Sequence, residues 1–463
     1  MSKRPPDCCA GFRQANQLSR RAALKIGTLG GLSLSGFWQA TANAGPVGSG
    51  FGKAKRCIFL FMWGGPSQLD TFDMKPDAPL EIRGEFKPIS TKTPGLMLCE
   101  HFSRLTGMTD RVAIVRSLTH DDPAHLSSGH TTVTGHLPPV NKSDAEPPSE
   151  NDTPHFGSVM SHLRPAEMAL PSFVMLPWKV LHPAAPGGVA PGQHGGWLGR
   201  QYNPFIVEGD PSVANWHPPS LGLSEKISLE RLNSRKQLLS SLDHARRVMD
   251  SPLVDQASYL ERRAFELLSS GKVRQAFDLD RESAATRDRY GRNIHGQCVL
   301  LGRRLLEHGV PIVNVNWHQD GRNFWDTHGN NFNRLKRDLI PPADQALTAL
   351  LTDLEERNML DDTLVVWVGE FGRNPKITER NAGREHWPYC YSGLLAGGGI
   401  AGGALYGSSD KHAAYPADKA VSPHDLMATI YHALGIPDSQ TLYDGLQRPH
   451  ALYAGDPIKA LFA

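Results

Sequence analysis

The chain of 463 residues carries almost no net charge: 49 Lys and Arg stand against 47 Asp and Glu. That balance leaves no electrostatic case for a nucleic-acid partner. Cysteine is scarce, with six in all. Two of them, Cys8 and Cys9, lie in the amino-terminal leader described below. The spacing of Cys57, Cys99, Cys298 and Cys390 matches neither a zinc module nor a dense disulfide framework. One or two disulfides are left open for a location outside the cytoplasm. No apolar run reaches the roughly 20 residues of a membrane span, so no stable span is expected. Repeats of roughly 20–50 residues and low-complexity tracts are also missing, which ranks a structural, surface-assembly role last.

What is present begins with an address. Ser19-Arg20-Arg21-Ala22-Ala23-Leu24-Lys25 is a twin-arginine pattern, followed by a mildly apolar Gly/Ser-rich segment from Ile26 to Trp38. Ala42-Asn43-Ala44 supplies small residues at the first and third places of a cleavage triplet. The order predicts a signal peptide over 1–44, the twin-arginine export machinery as a partner, and a periplasmic or secreted mature protein over 45–463.

In that mature part, short apolar runs alternate with amphipathic stretches. Cys57–Trp63, Val112–Val115, Ser172–Leu176, Val310–Trp317, Leu364–Val368 and Cys390–Ala396 read as strands buried on both faces. Asp338–Leu360 has apolar residues at helical spacing, and Ser422–Leu434 opens with Ser at the N-cap and Pro at the first helical position. The alternation predicts an α/β fold with a mostly parallel sheet covered by helices on both faces. Residues 222–308, rich in charge and Leu and poor in Gly, read as a helical insertion or cap.

Four polar clusters follow these strands, and on a parallel sheet the carboxyl ends share one edge, where ligands bind. The first, Gly64-Gly65-Pro66-Ser67 with Asp70, Thr71 and Asp73, offers flexible backbone and two carboxylates for a cation. Taken alone, it reads better as a tight turn. The second holds four imidazoles in 17 residues, His120, His125, His130 and His136, with Ser127 among them. Imidazole is both a metal ligand and a general base. The third joins His318 and Asp320 to Asp326 and His328, the last two placed to bind one ion from two sides. The fourth is Glu370, Arg373, Arg384, Glu385 and His386. Its arginines suit bidentate recognition of a phosphate, sulfate or carboxylate, and equally suit a salt-bridge network around a loop.

FLFMWGGPSQLDTFD, the His-rich segment ending in VTGH, WDTHGNN and VVWVGEFGR…GREHWP together resemble the exported bacterial family known as domain of unknown function 1501. The family in turn resembles the alkaline phosphatase and sulfatase superfamily. LTALLTDLEERNMLDDTLVVWVGEFG is similar to the superfamily passage ending in Ser-Asp-His-Gly, and SPHDLMATIYHALGIP to its late helix. HLSSGHTTVTGH is similar to its nucleophile segment. The resemblance implies an alkaline phosphatase-like sheet and a divalent ion (Zn, Ca, Mn or Mg) that hydrolyses a small-molecule or glycan phosphate or sulfate ester. It implies metal ligands among Asp70, Asp73, His120, Asp326, His328, Glu370 and His386. Catalytic roles fall to His125, Ser127 and Arg373, and substrate binding to His318 and Arg384. Ser127, Thr71, His125 and water are the candidate nucleophiles. The chain departs from the superfamily in having Glu370-Phe371 where Asp-His is expected, Trp63-Gly64-Gly65 where an Asp is expected, and His125 at the nucleophile position. These departures keep a second reading open, a periplasmic binding protein for an anionic glycan or ligand.

Overall fold

A computed structural model describes residues 49–166, 170–222, 264–317 and 324–463, with a few positions between 230 and 238. Residues 1–48, which include the expected signal peptide, and His318 lie outside the described residues, as does most of 223–263.

The sheet grows from the strands that the apolar runs foreshadow. We label the strands β1 (Arg56–Phe61), β2 (Val112–Leu118), β3 (Phe173–Leu176), β4 (Phe205–Ile206), β5 (Ile312–Asn316) and β6 (Thr363–Val368). They are followed by β7 (Gly372–Arg373), β8 (His386–Trp387), β9 (Tyr391–Ala396) and β10 (Leu405–Tyr406). Eight of them form one sheet in the order β10-β2-β9-β6-β1-β5-β3-β4. All its pairings are parallel except those of β9, which runs antiparallel between β2 and β6. β7 and β8 form a separate two-stranded ribbon in the excursion between β6 and β9.

Strand side chains alternate faces, and both faces are apolar here. Ile58, Leu60 and Met62 enter one core, with the helices α3 (Ile294–Glu307) and α4 (Ile340–Glu356) over it. Cys57, Phe59, Phe61 and Trp63 enter the other, under α1 (His125–Thr134), α2 (Phe156–Leu163) and α5 (Pro423–Ala433). The α5 helix starts where its sequence says it should: Ser422 and Asp425 form a reciprocal capping box, and Pro423 needs no N–H partner at the first position. The α4 helix is shorter than its pattern, preceded by a π turn over Leu335–Leu339 and followed by Asn358 at φ 53°.

Much of the stretch 222–308, expected as an insertion or cap, lies outside the described residues. Its last helix, α3, is buried against the sheet, and Gly302 lets it sit close to Ile58 and Val313. Its arginines are buried as well, with Arg303 paired to Glu282, Glu307 and Asp353 and Arg304 to Glu282. The four described cysteines are all free and buried, which removes the disulfide option among them. Among the described residues no helix is long and apolar enough to cross a membrane.

Candidate metal centre

The three central strands β6, β1 and β5 end side by side, and their following loops build the site. After β1 the chain turns at Gly64, where φ is +106° and an added Cβ would lie 2.1 Å from Asp326 N. Only glycine allows this approach. Gly64 and Gly65, expected as a tight turn that could also approach a ligand, admit Asp326 and Phe371. Trp325 N donates to Trp63 O at 3.0 Å, which fixes the Asp326 loop to the end of β1. That loop is also zipped to the segment before β8, since Arg384 N donates to Thr327 O and Asn330 N to Asn381 O. The second cluster delivers His125 as the first residue of α1, whose start is set by Asp122 accepting from Ala124 N.

These constraints bring together His125, Asp326, His328 and His386, which each offer one ligand atom within 4.8 Å of the others. His328 Nε2 and His386 Nε2 are 2.9 Å apart, at 3.0 Å and 3.3 Å from Asp326 Oδ1. His125 Nε2 is buried, makes no hydrogen bond, and stands 3.6 Å from Asp326 Oδ2. The opposite ring nitrogen of each imidazole is held by an oxygen. His125 Nδ1 donates to Glu370 Oε1 at 2.6 Å, His328 Nδ1 to Glu385 Oε2 at 2.5 Å, and His386 Nδ1 to Pro123 O at 2.8 Å. A carbonyl or carboxylate can only accept, so each Nδ1 carries a proton, and in the neutral ring each Nε2 presents a lone pair. Three lone pairs and a carboxylate facing one point repel unless a cation or shared protons lie between them.

That donor set fits a divalent transition ion. Three imidazoles and one carboxylate suit zinc or manganese better than calcium or magnesium, which favour all-oxygen shells. The group is reached from one side: the His328 side chain is 40% exposed and that of His125 3%. Burial opposes ionisation of Asp326, but Arg373 and then the three imidazoles outweigh it and hold its carboxyl well below the usual range. In His125, burial lowers the pKa, and the neighbouring Asp326 and Glu370 carboxylates override this and raise it to about 9, so a bound cation would take the place of a proton on Nε2.

Several expected site residues stand one step back. Glu370, expected as a ligand, is fully buried; it accepts from Gly64 N at 2.9 and 3.1 Å and orients His125. Arg373 is spent on the protein: Nε donates to Gly65 O, Nη1 to Arg384 O, and Nη2 to Gly64 O and Asp326 Oδ1. It holds Asp326 and has little left for a substrate. Arg384, expected to bind substrate, clamps Asp70 bidentately at 2.8 and 3.1 Å, and Asn331 completes that carboxylate at 2.9 Å. Asp70 is therefore no ligand of this group. Asp73 pairs with Lys75 and accepts from Ser409 Oγ. His120 is satisfied at both nitrogens, donating to Glu370 O at 2.8 Å and accepting from Asp122 N at 3.2 Å. Ser127 Oγ accepts from Ser143 N, and Thr71 Oγ1 donates to Ser67 O, so neither hydroxyl turns to the centre.

Phe371, in the place of an expected histidine, packs its ring 4.9 Å from His125 and 4.6 Å from His386. It is an apolar wall that fixes both imidazoles. Glu385 and Pro123 were not foreseen in their holding roles. The signal for Glu385 was its place beside His386; a carbonyl such as that of Pro123 leaves no mark in a sequence.

Fold and site together define an α/β protein with a three-histidine, one-aspartate centre at the carboxyl edge of its sheet. The chain belongs to the family described as Protein of unknown function (DUF1501), whose model matches residues 54–462. No curated protein matches it. Solved structures similar to it include the PsFucS1 sulfatase from Pseudoalteromonas sp., at 14% identity and TM-score 0.41, over 89% of this chain and 72% of that one. The phosphonate monoester hydrolase SpPMH from Silicibacter pomeroyi is similar at 12% identity and TM-score 0.38, over 89% and 76%. The phosphonate monoester hydrolase of Agrobacterium radiobacter is similar at 10% and 0.38, over 88% and 77%. None of these likenesses carries chemistry over to this chain.

Proposed function

We propose that the protein is an exported, metal-dependent hydrolase of phosphate or sulfate esters. The observation that carries the metal half is the convergence of three imidazole Nε2 atoms on Asp326, each ring fixed through its Nδ1. The ester half rests on the resemblance of the motifs around β6 and α5. The exported half rests on the twin-arginine segment, which substitution of Arg20 and Arg21 by Lys would test by retaining the protein in the cytoplasm.

His125, Asp326, His328 and His386 would hold the ion, which when bound supplies a Lewis acid at an ester oxygen and lowers the pKa of water. The chain's own part is positional. Glu370, Glu385 and the Pro123 carbonyl keep the imidazoles in the ligating tautomer, and Arg373 keeps Asp326 ionised and in place. Phe371 and Trp63 line the His125 ring and exclude water from its side. With Ser127 and Thr71 turned away, the attacking group is water rather than either of these hydroxyls.

The test is metal analysis of chelator-stripped protein reloaded with Zn or Mn, followed by aryl phosphate, phosphodiester and sulfate esters as substrates. Stoichiometric metal with turnover, both lost in His386→Ala, is expected. Protein that takes up no divalent ion would end the metallohydrolase reading. Stoichiometric metal with tight binding of sulfated glycans and no turnover would replace it with the binding-protein reading.

A further inference from the structure

A fourth imidazole beside the centre is wired in the opposite sense. His182 sits on the hairpin closed by the Leu181–Val189 bridge, its own N–H donating to Gly188 O at 2.8 Å. Its ring centroid is 5.4 Å from that of His125, at an interplanar angle of 47°. Its Nδ1 accepts the N–H of Ala184 at 3.3 Å. A nitrogen that accepts holds no proton, so the neutral ring carries its proton on Nε2. The ligating imidazoles present lone pairs; His182 presents an N–H, and its side chain is half-buried rather than enclosed.

The centre needs such a donor. An anionic ester brings oxygens that the ion does not all reach, and the two arginines expected to meet them are directed at protein oxygens. We propose that His182 Nε2–H donates a hydrogen bond to an oxygen of the phosphate or sulfate group, and that it is the protein's own electrophilic contact to the substrate. The proposal rests on the metal-centre reading above. It assigns a role to a residue in a Pro/Gly-rich stretch whose sequence shows no chemical motif. A fixed donor of this kind strengthens as charge builds on the oxygen in the transition state.

The experiment compares His182→Phe and His182→Gln in the full chain reloaded with Zn or Mn. Phe keeps the ring and removes the donor; Gln carries an amide N–H at similar reach. Loss of one such donor costs about 10²–10³-fold in kcat in comparable sites. The expected result for Phe is a fall of that order, weaker inhibition by inorganic phosphate and sulfate, and unchanged metal stoichiometry. Gln is expected to recover most of both. Full kcat and unchanged inhibition in Phe would overturn the assignment, and so would a Gln variant as poor as Phe. If the chain binds metal and turns over no ester, phosphate and sulfate titrations of the metal-loaded protein read the same contact, and equal affinity in wild type and Phe overturns it. Absence of metal in the wild-type chain would instead remove the centre itself, and His182 with it.

Discussion

Asp70 and Asp326 are both aspartates in loops that follow central strands, and both face a buried arginine, yet they do opposite work. Every partner of Asp70 is a donor: Arg384 through two nitrogens and Asn331 through its amide. Its side chain is fully enclosed, and its charge is balanced within the protein. Asp326 has one arginine and three imidazole nitrogens that are lone-pair carriers in the tautomer their other nitrogens impose. Its side chain is 16% exposed. The number of contacts is similar; what differs is whether the partners bring protons. A carboxylate whose partners are all donors is a strut; one that shares its site with imidazole lone pairs is fit to hold a cation.

The largest effect should come from breaking the strut. Asp70→Ala leaves the Arg384 guanidinium buried without its counter-charge, which costs about 3–5 kcal/mol. The loss should be the same with and without metal, as read by urea unfolding in the presence and absence of chelator. A loss that appears only in the metal-loaded form would place Asp70 in the centre and erase the comparison. His386→Ala should do the reverse. It removes one lone pair from a partly exposed position, so the chelated protein should unfold within about 1 kcal/mol of wild type. Its metal affinity, measured by competition with a chromophoric chelator, should fall by at least about 100-fold.

Glu385→Gln sharpens the same contrast at a smaller scale. The side chain still reaches His328 Nδ1, but an amide is free to present either its oxygen or its nitrogen, and the tautomer is less firmly held. Loss of an outer partner of this kind typically costs about 10–100-fold in metal affinity. Unchanged affinity would show that His328 is oriented by its loop alone.

The sequence disclosed the strut and the centre unequally. Strands β1, β5 and β6 were legible because they are buried on both faces, and α5 because its cap is a local motif. That the ends of these strands converge followed from parallel order alone. The division of labour among the charged residues was not legible. Asp70, Glu370 and Asp326 look alike as letters, and only the direction of each hydrogen bond separates ligand from support. His120 and His125 are five residues apart, and a turn at Asp122-Pro123 sends one to a carbonyl and the other into the centre. The antiparallel β9 was equally hidden, because an apolar run does not reveal its direction.

A third kind of histidine bounds the comparison from below. His155 Nε2, like His125 Nε2, is buried without a hydrogen bond, but its ring stacks between Phe156 and Phe173 at 4.8 and 4.6 Å. Burial, with a smaller contribution from His194, pushes its pKa down to about 3. A folded-state value below the unfolded one means that the unfolded chain binds more protons between about pH 3 and 6.5, so stability falls as pH drops through that window. The slope for one such group approaches about 1.4 kcal/mol per pH unit. His155 Nδ1 also caps α2 by accepting from Gly157 N at 3.0 Å, a task that Asn performs well. His155→Asn should therefore lower stability at pH 7 through lost ring packing while flattening its decline between pH 6.5 and 4 by about one proton. Urea unfolding of chelated protein at pH 7, 6, 5 and 4 reads both quantities. An unchanged slope would mean that a proton finds a partner beside His155, and that an orphaned imidazole nitrogen is no guide to what the protein needs there.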